Sequence, residues 1–267
     1  MGEVHSKYRI TVLMPVYNCE DTLTEAIESL LSQTFDKFKI IICNDGSIDN
    51  TLSIALDYAS RYENIECIHN ASNLGRSASS NRCLKFVDTE YVARMDGDDI
   101  SLPERFMSEI EFLDANKQYV LVSSPMIYFD KKGVYRIGTA IQEPTYEDFR
   151  NESVFCHGPS MIRTDALKSV GGYTESSEVE RIEDFDLWYK LYINGFKGYN
   201  LQRPLYKMRN GKAAFARRKA SDRWRAFLYG WKIRKSLGLS YPLLTSLYYL
   251  PKALIPWWLA YVFRRYL

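Results

Sequence analysis

Tyr91-Val-Ala-Arg-Met-Asp-Gly-Asp-Asp99 is the stretch from which the organisation of this chain can be read. Tyr91 to Met95 is a short, mainly apolar run with aromatic and β-branched members, the pattern of a buried strand. Where it ends, the carboxylates of Asp96, Asp98 and Asp99 fall around Gly97, which lets the backbone turn. Like charges so close together repel and lose solvation unless something positive sits between them. A divalent cation with hard oxygen ligands, Mg2+ or Mn2+, is the natural neutraliser, and such ions keep positions open for phosphate oxygens. In open α/β sheets, ligands bind outside the carboxyl ends of strands, which is where this cluster falls. The plainer reading of the same residues is an acidic turn capping the next helix.

The chain on either side gives the turn its setting. Ile10 to Met14 reads as a first strand with Pro15-Val-Tyr-Asn18 as its exit loop. Leu23, Ala26, Ile27, Leu30 and Leu31 then recur at helical spacing, with Thr22 and Glu25 placed as a capping box. Lys39 to Cys43 is a second strand ending in Asn44-Asp-Gly-Ser-Ile-Asp49. A helix over about 50–62, a strand at Ile65 to His69, the loop Asn73-Leu-Gly-Arg76 and a helix to about Phe86 lead into the acidic turn. Strands alternating with helices, each strand continuously apolar, predict an α/β fold with a mostly parallel sheet flanked by helices. After the turn the alternation breaks. Pro103 opens a helix carrying Phe106, Ile110 and Leu113, Val120 to Phe129 reads as one strand, and Asp130-Lys-Lys-Gly133 reads as a hairpin turn to Val134–Ile137. Neither a G-x-G-x-x-G after the first strand nor a G-x-x-x-x-G-K-[ST] occurs, so a phosphate-bearing ligand needs a metal or basic side chains.

With 267 residues, 46% hydrophobic and 25% charged, the chain has the composition of a globular protein of one large domain, with or without an appendage. Five cysteines, odd in number and without C-x-x-C, point to buried free thiols in a reducing compartment. The start is polar and the first apolar run is short, so no signal peptide is expected and the cytoplasm is the expected location. The net charge of +2 hides an asymmetry. Arg203 to Leu267 holds 15 Lys/Arg against a single acid, Asp222, whereas residues 1–202 hold 20 basic against 32 acidic groups. Two regions with opposite partners follow. Ala220 to Lys235 reads as a helix with Trp224, Phe227, Leu228 and Trp231 among Arg223, Arg225, Lys232 and Arg234. Leu243 to Phe263 is then almost wholly apolar, broken by Pro251, Lys252 and Pro256. A basic, amphipathic helical extension over 211–267 is expected, a pair of helices lying on an anionic membrane surface. A helix folded onto the rest of the protein as ordinary core is the plain alternative. No nucleic-acid-binding module is recognisable, so no nucleic acid partner is expected.

Pro15-Val-Tyr-Asn18, Asn44-Asp-Gly-Ser47 with Asp49, Asn73-x-Gly75 with Asn81, Asp96-x-Asp98-Asp99 and Glu183-Asp184 occur in that order. Together they closely resemble the family 2 glycosyltransferases, inverting enzymes of the Rossmann-like GT-A fold. The resemblance implies a catalytic domain over 1–210, its nucleotide-sugar half about 1–100 and its acceptor half about 101–210. It implies a nucleotide-diphosphate sugar as donor, usually a UDP-sugar, and Mn2+ or Mg2+ as cofactor. Pro15, Val16, Tyr17 and Asn18 then form the donor loop, with Tyr17 against the base and Asp45 accepting a hydrogen bond from it. Arg76 is placed to meet base or phosphate. Asp96 contacts ribose or metal-bound water, and Asp98 is the direct metal ligand. Lys207 and Arg209, in Pro204-Leu-Tyr-Lys-Met-Arg209, lie where the family often has a basic aromatic strand near the diphosphate. Asn44 stands where the family more usually has Asp, and Ser80 where it often has Arg.

Transfer needs a carboxylate to take a proton from the acceptor hydroxyl. Asp184 matches the family's base and Glu183 its neighbour, with Asp186 two residues away as the competing candidate. Both open a helical run, Glu183 to Leu191, with Phe185, Trp188 and Leu191 on one face; acids there also complement the helix dipole. His157 is placed on the acceptor side, either in contact with acceptor or phosphate or in a structural hydrogen bond. The resemblance thus implies transfer of a sugar to a lipid-linked or polysaccharide acceptor at the cytoplasmic membrane face. Two other classes compete: a glycoside hydrolase using Asp98 and Asp184 as its carboxylate pair, and a membrane-bound assembly partner that keeps the fold without turnover.

Overall fold

Four apolar runs make the centre of the molecule. In a computed structural model, which describes residues 7–150, 153–216, 219–240, 242–247 and 261–262, β1 (Ile10–Val16), β2 (Phe38–Asn44), β3 (Ile65–His69) and β4 (Tyr91–Arg94) pair in parallel in the order β4-β1-β2-β3. The connections are α1 (Leu23–Leu31), α2 (Thr51–Arg61) and α3 (Arg76–Leu84). Side chains alternate across a strand, so each strand feeds both faces. Val12, Met14 and Val16 pack with Leu23, Ala26 and Ala55 on one side. Leu13, Ile41 and Val92 pack with Cys83 and Leu84 on the other. Covering on both faces is why these strands carry no polar-out alternation.

The expected strands are present, with one informative extension. β1 runs on through Pro15 and Val16, because the Val16 carbonyl accepts the Asp45 N–H at 2.8 Å. The capping box does not form: the Thr22 hydroxyl donates to the Gly97 carbonyl at 2.9 Å, which fastens the acidic turn to the start of α1.

Beyond Asp99 the chain builds β5 (Ile100–Ser101), α4 (Arg105–Ala115), β6 (Leu121–Ser123), β7 (Met126–Asp130), β8 (Gly133–Ile137), β9 (Met161–Arg163), α5 (Thr164–Ser169), α6 (Glu183–Ile193), β10 (Gly198–Asn200) and β11 (Tyr206–Arg209). β9, β6 and β10 extend the central sheet beyond β4, with β9 antiparallel to both its neighbours. A four-stranded sheet, β5-β11-β7-β8, lies beside it. The single strand expected over Val120–Phe129 is therefore two strands in different sheets. Pro125 lies at the break, lacking the N–H a ladder needs, and Ser124 turns its hydroxyl to the Leu205 N–H at 3.3 Å. The hairpin at Gly133 forms as expected.

Among the described residues three helices follow: α7 (Lys212–Ala216), α8 (Ala220–Ser236) and α9 (Pro242–Leu247). α8 buries Phe227 and Ile233 and exposes Trp224, Leu228 and Trp231. Its Arg234 is fully buried: Nε donates to the carbonyls of Phe149 and Arg150 at 3.0 Å, and Nη1 to Ser246 Oγ at 3.0 Å. Ile233 and Leu239 join the core cluster that contains Leu187 and Trp188 of α6. Most of the apolar run expected at Leu243–Phe263 lies outside the described residues. Among those described, no helix is long and apolar enough to cross a membrane. The five cysteines are free thiols, but only Cys43 and Cys83 are buried as expected, while Cys19, Cys67 and Cys156 are half-buried.

Candidate active site

The ends of β1 and β2 interlock before any ligand is considered. Asn18 takes a positive φ of 48°, its N–H donates to Ser47 Oγ at 3.0 Å, and its Oδ1 accepts the Ile48 N–H at 3.0 Å. Tyr17, at the tip of this loop, is exposed, while Val16 beneath it is buried and Pro15 half-buried. Asp45 is buried, and its carboxylate accepts from Asn70 Nδ2 at 2.6 Å, the Leu74 N–H at 2.8 Å and the Gly75 N–H at 2.9 Å. It thereby shapes the loop that delivers Arg76. Gly46 is required here: its φ is +70°, and a Cβ would stand 2.5 Å from the Ser72 carbonyl carbon.

The acidic turn is held by three separate groups. Asp96 accepts from Arg94 Nη2 at 2.9 Å, and its N–H donates to the buried Tyr206 hydroxyl at 3.2 Å. Burial works against the Asp96 charge, but the Arg76 and Arg94 guanidiniums outweigh it and hold the carboxyl below the usual range. Asp99 points inward and accepts the Arg209 N–H at 2.8 Å; burial, then the neighbouring Asp98 and Asp96, push it well above the carboxylate range. Arg209 Nε donates to the Asp98 carbonyl at 2.9 Å, and its guanidinium pairs with Glu25 and covers the Phe129 ring. Arg209 thus supports the turn from behind, and Lys207, two residues back on β11, shares its strand face. Asp98 is half-buried at the rim. Among the described residues no group of three or more His, Cys, Asp or Glu side chains converges to enclose a metal ion.

The helix α6 brings the last carboxylates to the same place. Arg76 Nη1 lies 3.1 Å from Glu183 Oε1, joining residues 107 apart in sequence. Asp184 is half-buried; Oδ1 accepts the Phe185 N–H at 2.8 Å and Oδ2 accepts from Ser153 Oγ at 3.5 Å. Burial, then the adjacent Glu183 charge, raise its carboxyl to about 6. Asp186 faces the other way. It is buried, accepts from Thr174 Oγ1 at 2.6 Å, takes the Tyr229 hydroxyl of α8, and lies 3.7 Å from Lys190 Nζ. His157 is buried with Nε2 at 2.9 Å from the Tyr173 hydroxyl; burial, then Arg94, push the imidazole well below its ordinary value and keep it neutral.

Of the residues named from sequence, Arg76, Asp96, Asp98, Glu183 and Asp184 come together here, and the sequence reading missed what holds them. Arg94, the counter-ion of Asp96, sat in the opening stretch as a charge inside an apolar run, which was the available signal. Tyr206 and Asn70 gave none. The field around Arg76 shows how closely the pieces converge: Asp96, Glu183, Asp98 and Asp184 all act on its guanidinium.

A mostly parallel α/β sheet flanked by helices in this order is a GT-A type fold. The chain belongs to glycosyl transferase family 2, whose family description matches residues 11–171. It is 41% identical over 218 residues to a putative glycosyltransferase, EpsE, of Bacillus subtilis (strain 168), covering 80% of this chain and 78% of that protein. It is 29% identical over 216 residues to the UDP-Gal:alpha-D-GlcNAc-diphosphoundecaprenol beta-1,3-galactosyltransferase of Escherichia coli, covering 79% and 77%. Its fold matches S. aureus TarS 1-349 in complex with UDP-GlcNAc with a TM-score of 0.67 at 22% identity, over 92% of this chain and 71% of that one.

The two aspartates of α6 should separate cleanly. Asp186→Asn should lower the unfolding free energy by about 2–3 kcal/mol, because it weakens a buried network. Asp184→Asn should change it by less than about 1 kcal/mol. Urea unfolding of both variants makes the comparison.

Proposed function

We propose that this glycosyltransferase moves a sugar from a nucleotide-diphosphate donor, a UDP-sugar, to a hydroxyl of a lipid-linked or polysaccharide acceptor, with inversion and with Asp184 as base. The observation that carries the reading is the contact of Arg76 with Glu183, which sets the strand-end loops of the donor half against the carboxylate of the acceptor half. The acceptor hydroxyl attacks the anomeric carbon from the side opposite the diphosphate. Asp184 takes its proton while the bond to the diphosphate oxygen breaks. Tyr17, exposed on its loop, stacks on the base, and Asp45, with oxygen lone pairs beyond its three backbone and amide contacts, accepts from it. Arg76 meets the diphosphate, with Lys207 beside it. His157, neutral and bonded to Tyr173, orients the acceptor side.

The donor set fits a divalent ion shared with the substrate. Asp98, half-buried at the strand end beside Asp96, is on this reading the direct carboxylate ligand, with the remaining positions left to phosphate oxygens and water. Bound there, Mn2+ or Mg2+ would offset charge developing on the departing diphosphate. The acceptor class is supported by the lipid-diphosphate acceptor named for the Escherichia coli relative. Peripheral attachment to an anionic, cytoplasmic membrane face is supported by α8, which presents Trp224, Leu228 and Trp231 at 52%, 43% and 38% exposure. An open apolar groove there is rimmed by Lys232, Lys235 and Ser236.

Titration calorimetry with UDP in Mn2+ should show binding that Asp98→Asn weakens at least tenfold; unchanged affinity would remove Asp98 from the metal site. Because Asp184 must be ionised to accept a proton and its carboxyl is raised to about 6, transfer should fall about tenfold per pH unit below that value. A UDP-sugar transfer assay across pH should show this acid limb, and Asp184→Asn should bind UDP normally yet lose about a thousandfold or more in kcat. A Trp224→Ser, Trp231→Ser double variant should sediment less with phosphatidylglycerol liposomes than the parent while keeping its soluble transfer rate. Equal sedimentation would count against α8 as the contact face.

A further inference from the structure

Two ion pairs of the same chemistry behave differently in this molecule. Arg105 and Glu109 pair at 3.1 Å within one helix, both side chains fully buried, which is a fixed structural contact. Arg76 and Glu183 also pair at 3.1 Å, but across the two halves, with the arginine side chain 51% exposed and the glutamate 6%. The arginine stands at the first residue of α3, after Gly75 at φ 91°, with the glutamate fixed on the first turn of α6. The Arg76 guanidinium therefore lies in the combined field of Asp96, Glu183, Asp98 and Asp184, while Arg94 is already paired with Asp96. A diphosphate brought to this place adds more negative charge than any of them and meets the same guanidinium, whose planar fork suits phosphate oxygens as well as carboxylate.

We infer that Glu183 is a stand-in for the donor diphosphate, holding the Arg76 guanidinium in place until the diphosphate displaces it; this rests on the reading of Arg76 as a donor-binding residue. Glu183 is then a positioning residue that passes no proton. Before a donor binds, it holds Arg76 against the start of α6 and spares the carboxylates an unbalanced charge. When the donor arrives, Arg76 turns from Glu183 to phosphate oxygens. The exchange has a chemical consequence. Asp184 then has beside it a carboxylate stripped of its counter-charge, which makes Asp184 the stronger base when a donor is there to be used.

A double-mutant cycle on the full chain tests this. The probe is whichever of UDP, GDP, CDP, ADP and dTDP the parent binds most tightly in Mn2+, with the matching monophosphate as control, measured by calorimetry. Glu183→Gln should tighten the diphosphate about three- to tenfold and the monophosphate by much less. In an Arg76→Gln background the same change should do nothing, because the group competed for is gone. Equal tightening in both backgrounds would reduce Glu183 to a source of general repulsion and overturn the exchange. Weaker binding in Glu183→Gln would overturn it too, by making the pair a support that donor binding needs intact. Glu183→Ala repeats the cycle should the amide variant fail to fold, as judged by thermal unfolding. A parent that binds none of the five diphosphates sinks the donor reading and the exchange together, whereas a parent that binds with a flat cycle sinks the exchange alone.

Discussion

Charge crowding at one end of the sheet is the constraint to which the rest of the structure answers. Asp96, Asp98, Asp99, Glu183 and Asp184 converge there from two distant segments, and carboxylates so placed are tolerated only with fixed counter-groups. Asp96 has Arg94, Glu183 has Arg76, and Asp99 is turned inward onto a backbone N–H. The arrangement splits one acidic motif into unlike parts. Asp99 is drawn toward its neutral form, Asp96 is kept ionised, and Asp98 is left at the rim. A short stretch of sequence thus gives a structural acid, a paired acid and a candidate ligand, sorted by environment alone.

The second sheet serves that sorting. β11 supplies the Tyr206 hydroxyl to the Asp96 N–H and the Arg209 main chain and guanidinium to Asp99, Asp98 and Glu25. A basic strand near a phosphate site invites the reading that its cations meet phosphate. Here the geometry gives Arg209 a prior commitment to the protein's own carboxylates, and such a residue tunes the turn even without touching a ligand.

What was legible in the sequence followed local periodicity. The β1–β4 strands carry runs apolar on both faces, α1 carries helical apolar spacing, and the glycine-bearing loops lie at strand ends, so the parallel half and the acidic turn could be placed from pattern alone, whereas Glu183 and Asp184 were reached through the family resemblance. The second half resisted for physical reasons. β6 and β7 are separated only by Ser124 and Pro125, so one apolar run conceals a change of sheet. Thr22 has the spacing of a cap, yet a tertiary partner at Gly97 outcompetes the helix N–H groups for it. Arg94 interrupts an apolar strand, and only the fold reveals that its charge is spent on Asp96, two residues on. Pairings between Arg76 and Glu183 or Tyr206 and Asp96 span more than a hundred residues, and no local pattern encodes them.

The helix α8 fixes the direction in which Asp184 is aimed. On a helix, residues two apart point to nearly opposite sides, so Asp184 can face the cleft only if Asp186 faces in. The inward side is made hospitable to a charge by Thr174, Lys190 and the Tyr229 hydroxyl, the last contributed by α8. The same helix ties down the segment leading into α6, through Arg225 to Glu180 and Asp222 to Arg181 at 3.4 Å. α8 therefore has two faces with two jobs: one fixes the roll of α6 and with it the direction of Asp184, while the other turns tryptophans and lysines outward. An element first visible as a run of positive charge after Arg203 is, on its buried side, part of what orients the candidate base.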